Sequence, residues 1–359
     1  MKIDSFHKET SERSEDQNWV LSELTHSSDF YYVGFEGCNE NSSSMVTHIM
    51  DRASIEISGN LQSLPSAEEI ITIINNLEGN YLQGKINFCK FLGIGYTYIL
   101  YNYENEIVLR YEYFNNELLF KAKYCSFKDF SNWIQSIKGW NSGKEFREKD
   151  DLPQFDKELR TAGCPWPTNI DCVVYHKTHK PVAILEFQNA KKTGVKNHTN
   201  NRYFFPNKDY TTRNYKKGVD EQRWRSQEIL REQSGLRHLT IVWSQSEDTV
   251  VVKELIKVVF PSYLDDGDNS EYLKLLSLFG KEINNNPRNL ENKYYHQICK
   301  SYFSNGLHWE NGIMNNELYR PPLSIRYKTF PFIYGKRLGS FTRESIRENF
   351  EKIFQGGDY

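Results

Sequence analysis

Residues 169–192, NIDCVVYHKTHKPVAILEFQNAKK, constrain the fold more than any other stretch of the chain. Two apolar runs of strand length flank a polar turn. Each run carries one carboxylate at the end away from that turn: Asp171 opens the first and Glu186 closes the second. Apolar runs this short, bounded by turn residues, predict strands buried in a sheet. Side-chain alternation then puts Asp171, Val173 and Tyr175 on one face, and Val182, Ile184, Glu186 and Gln188 on one face of the next strand. With the turn HKTHKP centred between 178 and 179, the antiparallel partners are Tyr175 with Val182, Val173 with Ile184, and Asp171 with Glu186. Directly opposed Cβ atoms lie about 4.5–5.5 Å apart, so this register makes the two carboxylates neighbours.

Neighbouring carboxylates repel, and each loses hydration beside an apolar core. A bridging cation turns that cost into a site. Hard oxygen ligands with open positions suit Mg²⁺ or Mn²⁺. Such an ion polarises a phosphate and acidifies a bound water, which points to phosphodiester hydrolysis. The pair alone is equally compatible with a bland arrangement, in which Asp171 caps a turn and Glu186 pairs with Lys191 or Lys192 at the surface.

The flanking sequence adds weight to the metal reading. Upstream, DLPQFDKELRTAGCPWP predicts a short helix: Pro153 suits its first turn, and Leu152, Phe155 and Leu159 form a buried stripe with Glu158 at its edge. Downstream, residues 220–234 predict a helix and LRHLTIVWS a strand. A helix bearing Glu158, then PTNID, then ILEFQ, then helix and strand resembles the PD-(D/E)XK nuclease superfamily, over about 150–245 of the chain. The resemblance implies a restriction-endonuclease-like α/β fold, a mixed sheet core flanked by helices. It also implies Asp171 and Glu186 as the metal-binding acids and Glu158 as the helical glutamate found in many members. Two departures stand out. The proline, Pro167, lies two residues further upstream than in the strict motif, and Gln188 replaces the lysine of E-x-K. Glutamine holds a water but carries no charge, so Lys191 or Lys192 is the candidate source of positive charge against the developing oxyanion.

Between Asn189 and Arg237 stand twelve basic residues against five acidic ones, a surplus of seven in a chain whose formal net charge is −2. Lys196, Arg202, Arg213, Lys216, Lys217 and Arg223 are the candidate phosphate contacts. Tyr203, Phe204, Phe205, Tyr210, Tyr215 and Trp224 interleave with them, as in tracks that neutralise phosphates and stack bases. A solvated loop and helix face is the plain alternative for such a run. Gln227 is a weaker candidate on the same helix.

The N-terminal half has its own punctuation. Ser66 and Glu69 have capping-box spacing before a stripe of Ile70, Ile71, Ile74 and Leu77, and Gly79 ends that helix. Strands are expected over about 86–124, followed by a helix capped by Ser126 and stopped by Gly139. Residues 1–28 are polar and read as irregular. The apolar-poor NSGKEFREKDD marks a boundary. It separates an N-terminal α+β domain, 1–145, for target or partner recognition, from a nuclease-like domain, 146–359, with a C-terminal helical extension. His176 and His179 read as surface turn residues, and Asp268 or Asn269 as a helix cap. No cysteine pair has C-x-x-C spacing and no 18-residue apolar window occurs, so the chain is expected to be cytoplasmic and off the membrane. The expected function is a Mg²⁺-dependent DNA endonuclease, possible as a homodimer, with a restriction or anti-phage role implied by the resemblance and RNA an open alternative substrate. The competing expectation is a catalytically inactive module of the same fold that binds nucleic acid or a protein partner.

Overall fold

The computed structural model describes residues 2–9, 21–22, 29–59, 63–142, 152–165, 167–190, 194–195, 219–259 and 332–355. The elements in chain order are β1 (Lys2–His7), β2 (Phe30–Glu40), β3 (Val46–Ser58), α1 (Ala67–Glu78), a 3₁₀ turn (Gly79–Tyr81), α2 (Leu82–Phe91), β4 (Tyr96–Asn102), β5 (Ile107–Phe114) and β6 (Glu117–Tyr124). They continue with α3 (Phe127–Lys138), α4 (Gln154–Thr161), β7 (Thr168–His176), β8 (Pro181–Asn189), α5 (Val219–Ser234), β9 (Arg237–Trp243), β10 (Thr249–Val259), β11 (Phe332–Thr342) and α6 (Arg343–Gln355). The class is mixed α/β with mostly antiparallel strand pairing. The chain forms two compact units, one of residues 1–187, 229–237 and 347–359, the other of 188–228 and 238–346.

In the first unit the strands run β8-β7-β2-β3-β4-β5-β6, with β1 also paired to β3. Only β3 and β4 pair in parallel among these strands, and the α1–α2 segment makes the crossover that a parallel pair requires. Alternation divides the core in two. Ile49, Ala53, Tyr98, Leu100, Val173, Tyr175 and Ile184 pack with α1 and α2. Met50, Ile99, Tyr101 and Val108 point the other way and pack with α3 and α4. Residues on both sides of the boundary expected near 145 contribute to this unit, because β7 pairs along β2 from Phe30↔His176 to Cys38↔Thr168.

The helix signals are realised in detail. Ser66 Oγ accepts from the Glu69 amide at 3.2 Å, and Ser126 Oγ from the Asp129 amide at 3.0 Å. Gly79 and Gly139 end their helices at φ 53° and 73°, values that glycine adopts without a Cβ penalty. Within α1 the stripe is shifted by a residue: Ile73 is buried and Ile71 is 38 % exposed. Two expectations fail. A helix covers 82–91, where strands were expected from about 86, because Leu82, Lys85, Ile86 and Cys89 recur at helical spacing on its buried side. Residues 2–7, read as irregular, form β1 against β3.

In the second unit β9, β10 and β11 form an antiparallel run, with Lys253 opposite Thr240 and Val251 opposite Val242. Ala190, Val195, Val242 and Val251 form a small core. The Arg343 guanidinium donates to the carbonyls of Ser244 at 3.0 Å and Glu247 at 3.1 Å. Residues 260–331 of the expected C-terminal helical extension, including the cap at Asp268 or Asn269, lie outside the described residues.

Candidate active site at a strand fork

The β7–β8 pairing follows the register read from sequence over its central part: Val173 lies opposite Ile184, and Cys172 opposite Leu185. Near the turn the register slips, so Tyr175 faces Pro181 rather than Val182. His179 takes φ 64° in that turn and its amide donates to the His176 carbonyl at 2.8 Å. His179 therefore lies in the turn, and His176 is the last residue of β7 before it. Beyond Cys172 and Leu185, the next residues on the two strands are Asp171 and Glu186. They are 6 % and 1 % exposed.

Asp171 is aimed by a β-bulge that the sequence did not reveal. Between Val33↔Val173 and Phe35↔Ile170, β7 spends three steps where β2 spends two, leaving Asp171 and Cys172 opposite Gly34. A bulge breaks simple alternation and re-aims a side chain. A Cβ at Gly34 would sit 2.9 Å from the Asp171 carbonyl oxygen, so glycine permits the close approach. The Asp171 carboxylate turns toward β8, where its Oδ2 accepts the Phe187 amide at 2.9 Å. One oxygen thus anchors the group to the neighbouring strand.

Asp171 also lines a polar cavity of about 140 Å³, together with Lys8, Gly34, Phe35, Glu36, Asp51, Lys85, Asn169 and Ile170. The cavity arises from the strand paths. Along one edge of β3, β2 pairs from Val46 to Met50 and β1 from Ser54 onward. Residues 51–53 lie between the two, where β2 and β1 part. Asp51 and Arg52 occupy this gap on opposite faces.

Lys8, Asp51 and Lys85 of the cavity wall join Glu78 in a largely buried charge network. Lys85 Nζ donates to Asp51 Oδ2 and Glu78 Oε2, both at 2.7 Å. Tyr96 donates to Asp51 at 2.7 Å and Tyr98 to Glu78 at 2.8 Å. Lys8 pairs with Glu78 Oε1. Burial pushes Glu78 upward, but the Lys85 and Lys8 ammonium groups outweigh it and bring the carboxyl down to about 2. Burial works against the charge on Lys85 as well, yet Asp51 and Glu78 hold it above the ordinary lysine range. For Glu36, burial raises the pKa and Arg52, 3.7 Å away, offsets only part of that rise. On the other face Arg52 forks onto Asp156 of α4, with its Nη2 3.0 Å from Oδ2.

Glu158 is not brought to this site. Phe155 and Leu159 turn α4 onto the face of Met50, Ile99 and Tyr101, whereas Val173 and Ile184 beside the acids belong to the opposite core. Glu158 instead accepts from Gln154 Nε2 at 2.5 Å along its own helix. The α4 N-terminus is capped from afar, by Glu9 Oε2 accepting the Phe155 amide at 3.4 Å. Gln188 is half-buried on β8, and Gln227 is buried on α5. Arg223 falls on α5, but its side chain is outside those described. Lys191, Lys192, Lys196, Arg202, Arg213, Lys216 and Lys217 lie outside the described residues.

The sequence reading missed the Lys8–Asp51–Glu78–Lys85 network. Its signals were present: Asp51 and Arg52 interrupt the apolar strand THIMDRASIEI, and Lys85 falls on the buried stripe of α2. Among the described residues no three His, Cys, Asp or Glu side chains converge as metal ligands. Asp171 and Glu186 would supply two hard oxygen donors, leaving other positions to water or phosphate oxygen. Comparison with protein-family models, curated proteins and solved structures finds no match to this chain. Among the described residues no helix is long and apolar enough to cross a membrane.

Proposed function

We propose that the chain is a metal-dependent endonuclease that hydrolyses DNA phosphodiester bonds, with Asp171 and Glu186 holding Mg²⁺ or Mn²⁺. The observation that supports this reading is the placement of two buried carboxylates as successive residues beyond the Cys172–Leu185 pair, one of them lining a polar cavity. Both acids are buried, and a cation shared between them would offset the cost of burying their charge. The ion would polarise the phosphate and activate water, while Gln188 positions that water. Basic residues of 191–223 would track the phosphate backbone, and a homodimer would cut both strands of a duplex. The superfamily resemblance supports a restriction or anti-phage role. Supercoiled plasmid incubated with Mg²⁺ or Mn²⁺ is the test. Nicking by the wild type that Asp171→Ala and Glu186→Ala each abolish is expected. No nicking, or equal nicking by the variants, contradicts the reading.

Gln188 favours a second reading. Without a charged group at that position the fold would retain nucleic-acid binding and lack turnover. Salt-dependent DNA binding with no cleavage under either metal selects it.

A further inference from the structure

Two lysines, Lys8 and Lys85, and three acids, Glu36, Asp51 and Asp171, line the cavity, and Lys8 of the N-terminal segment is the more exposed of the two cations. Lys8 has a 27 % exposed side chain, whereas Asp51 and Glu78 behind it are 2 % exposed. Those two acids have committed their oxygens. Asp51 Oδ2 serves Lys85 and Tyr96, and Asp51 Oδ1 takes the Glu36 amide at 3.3 Å. Glu78 Oε1 serves Tyr98 and Lys8, and Glu78 Oε2 serves Lys85. Lys8 has three N–H donors. One is spent on Glu78, and Asp51 Oδ1 at 3.9 Å is beyond hydrogen-bond reach.

We propose that this cavity is an oxyanion pocket in which Lys8 of the N-terminal segment holds a phosphate group of the substrate beside Asp171. The pocket rests on the endonuclease reading for the identity of that substrate. Several observations fit. A cavity of about 140 Å³ has room for several waters, or for one tetrahedral oxyanion in their place. Gly34 contributes no side chain to fill it. Gln188 is neutral, so the cavity's own ammonium supplies the charge that a phosphate requires. A metal ion on Asp171 would sit against the same phosphate and offset the carboxylate. The N-terminal residues would then be part of the site rather than of a separate recognition domain.

The test is titration of the full-length protein with inorganic phosphate in the presence of Mg²⁺, followed by calorimetry. Wild type is expected to bind. Lys8→Gln should weaken binding by about tenfold or more, the loss of one charge-assisted hydrogen bond. Lys8→Arg, which keeps the charge, should stay within about threefold. Thermal unfolding of each variant separates a binding defect from a folding defect. Absence of phosphate uptake by wild type, or equal uptake by a folded Lys8→Gln protein, overturns the proposal. Plasmid nicking is scored separately. Lys8-dependent phosphate uptake without nicking retains the pocket and removes the endonuclease reading. Nicking with no effect of Lys8→Gln on phosphate uptake does the reverse.

Discussion

Lys85 carries more of the first unit than its residue type suggests. It is buried on α2 and its ammonium is shared by Asp51 and Glu78 at 2.7 Å each. Removing it leaves two carboxylates in the interior with Lys8, two tyrosine hydroxyls and the Glu36 amide to compensate. Breaking a buried ionic group in this way costs about 3–5 kcal/mol. Lys85→Met should therefore lower the unfolding free energy by about that amount in urea titrations, despite its similar volume. A loss below about 1 kcal/mol would mean that the network relaxes or hydrates. At this scale the sequence showed the acids but not their aim. Asp171 and Glu186 stand out because each interrupts an apolar run. The bulge at Asp171 depends on β2, more than a hundred residues away, and no local pattern encodes it.

Elements built from short-range rules were the most legible. Both helices beginning at a serine cap start and stop where the sequence places them, because cap, stripe and terminal glycine all act within one segment. Ser66→Ala removes the bond to the Glu69 amide and should cost about 1 kcal/mol, read as a fall in the midpoint of chemical unfolding. The reciprocal half of the capping box is put to another use: Glu69 Oε1 accepts the Ile3 amide at 3.0 Å and so ties α1 to β1. The β7–β8 register was legible in its middle, where both strands are apolar. It failed near the turn, where the pairing slips from Val174↔Ala183 to Tyr175↔Pro181. Helix α2 was missed because a helix and a strand of the same apolar content differ only in period, and Lys85 and Gly84 disguised it. Sequence order sets the helix of Glu158 beside β7 without saying which face of the sheet it covers, and α4 packs with Met50, Ile99 and Tyr101.

At the scale of the whole molecule, the pH dependence of stability reads out two of these environments. His48 is half-buried, and burial first and Arg110 second push its imidazole down to about 4. The folded protein thus binds this proton less readily than the unfolded chain, with its ordinary value of 6.5. The stability linked to His48 is complete above pH 6.5 and is lost as the pH falls toward 4. Glu78, brought from 4.5 to about 2, contributes above pH 4.5 and loses that contribution between pH 4.5 and 2. Unfolding free energy should fall in two stages on acidification, and His48→Gln should flatten the upper one. An unchanged slope between pH 6.5 and 4 in that variant would contradict the assignment. The charged linker at 141–151 suggested an independent N-terminal domain. In the first unit β7 adds to β2, and residues 2–9 reach both β3 and α4.

The proposed hydrolysis requires an ion shared by Asp171 and Glu186. Titration with Mn²⁺, followed by the loss of its free-ion paramagnetic resonance signal, measures this without any assumption about substrate. Wild type should remove Mn²⁺ from solution at one site per chain, Mg²⁺ should compete for it, and Asp171→Ala and Glu186→Ala should each weaken it by about tenfold or more. Retention of the wild-type affinity in both folded variants, or no uptake by wild type, would contradict the central claim.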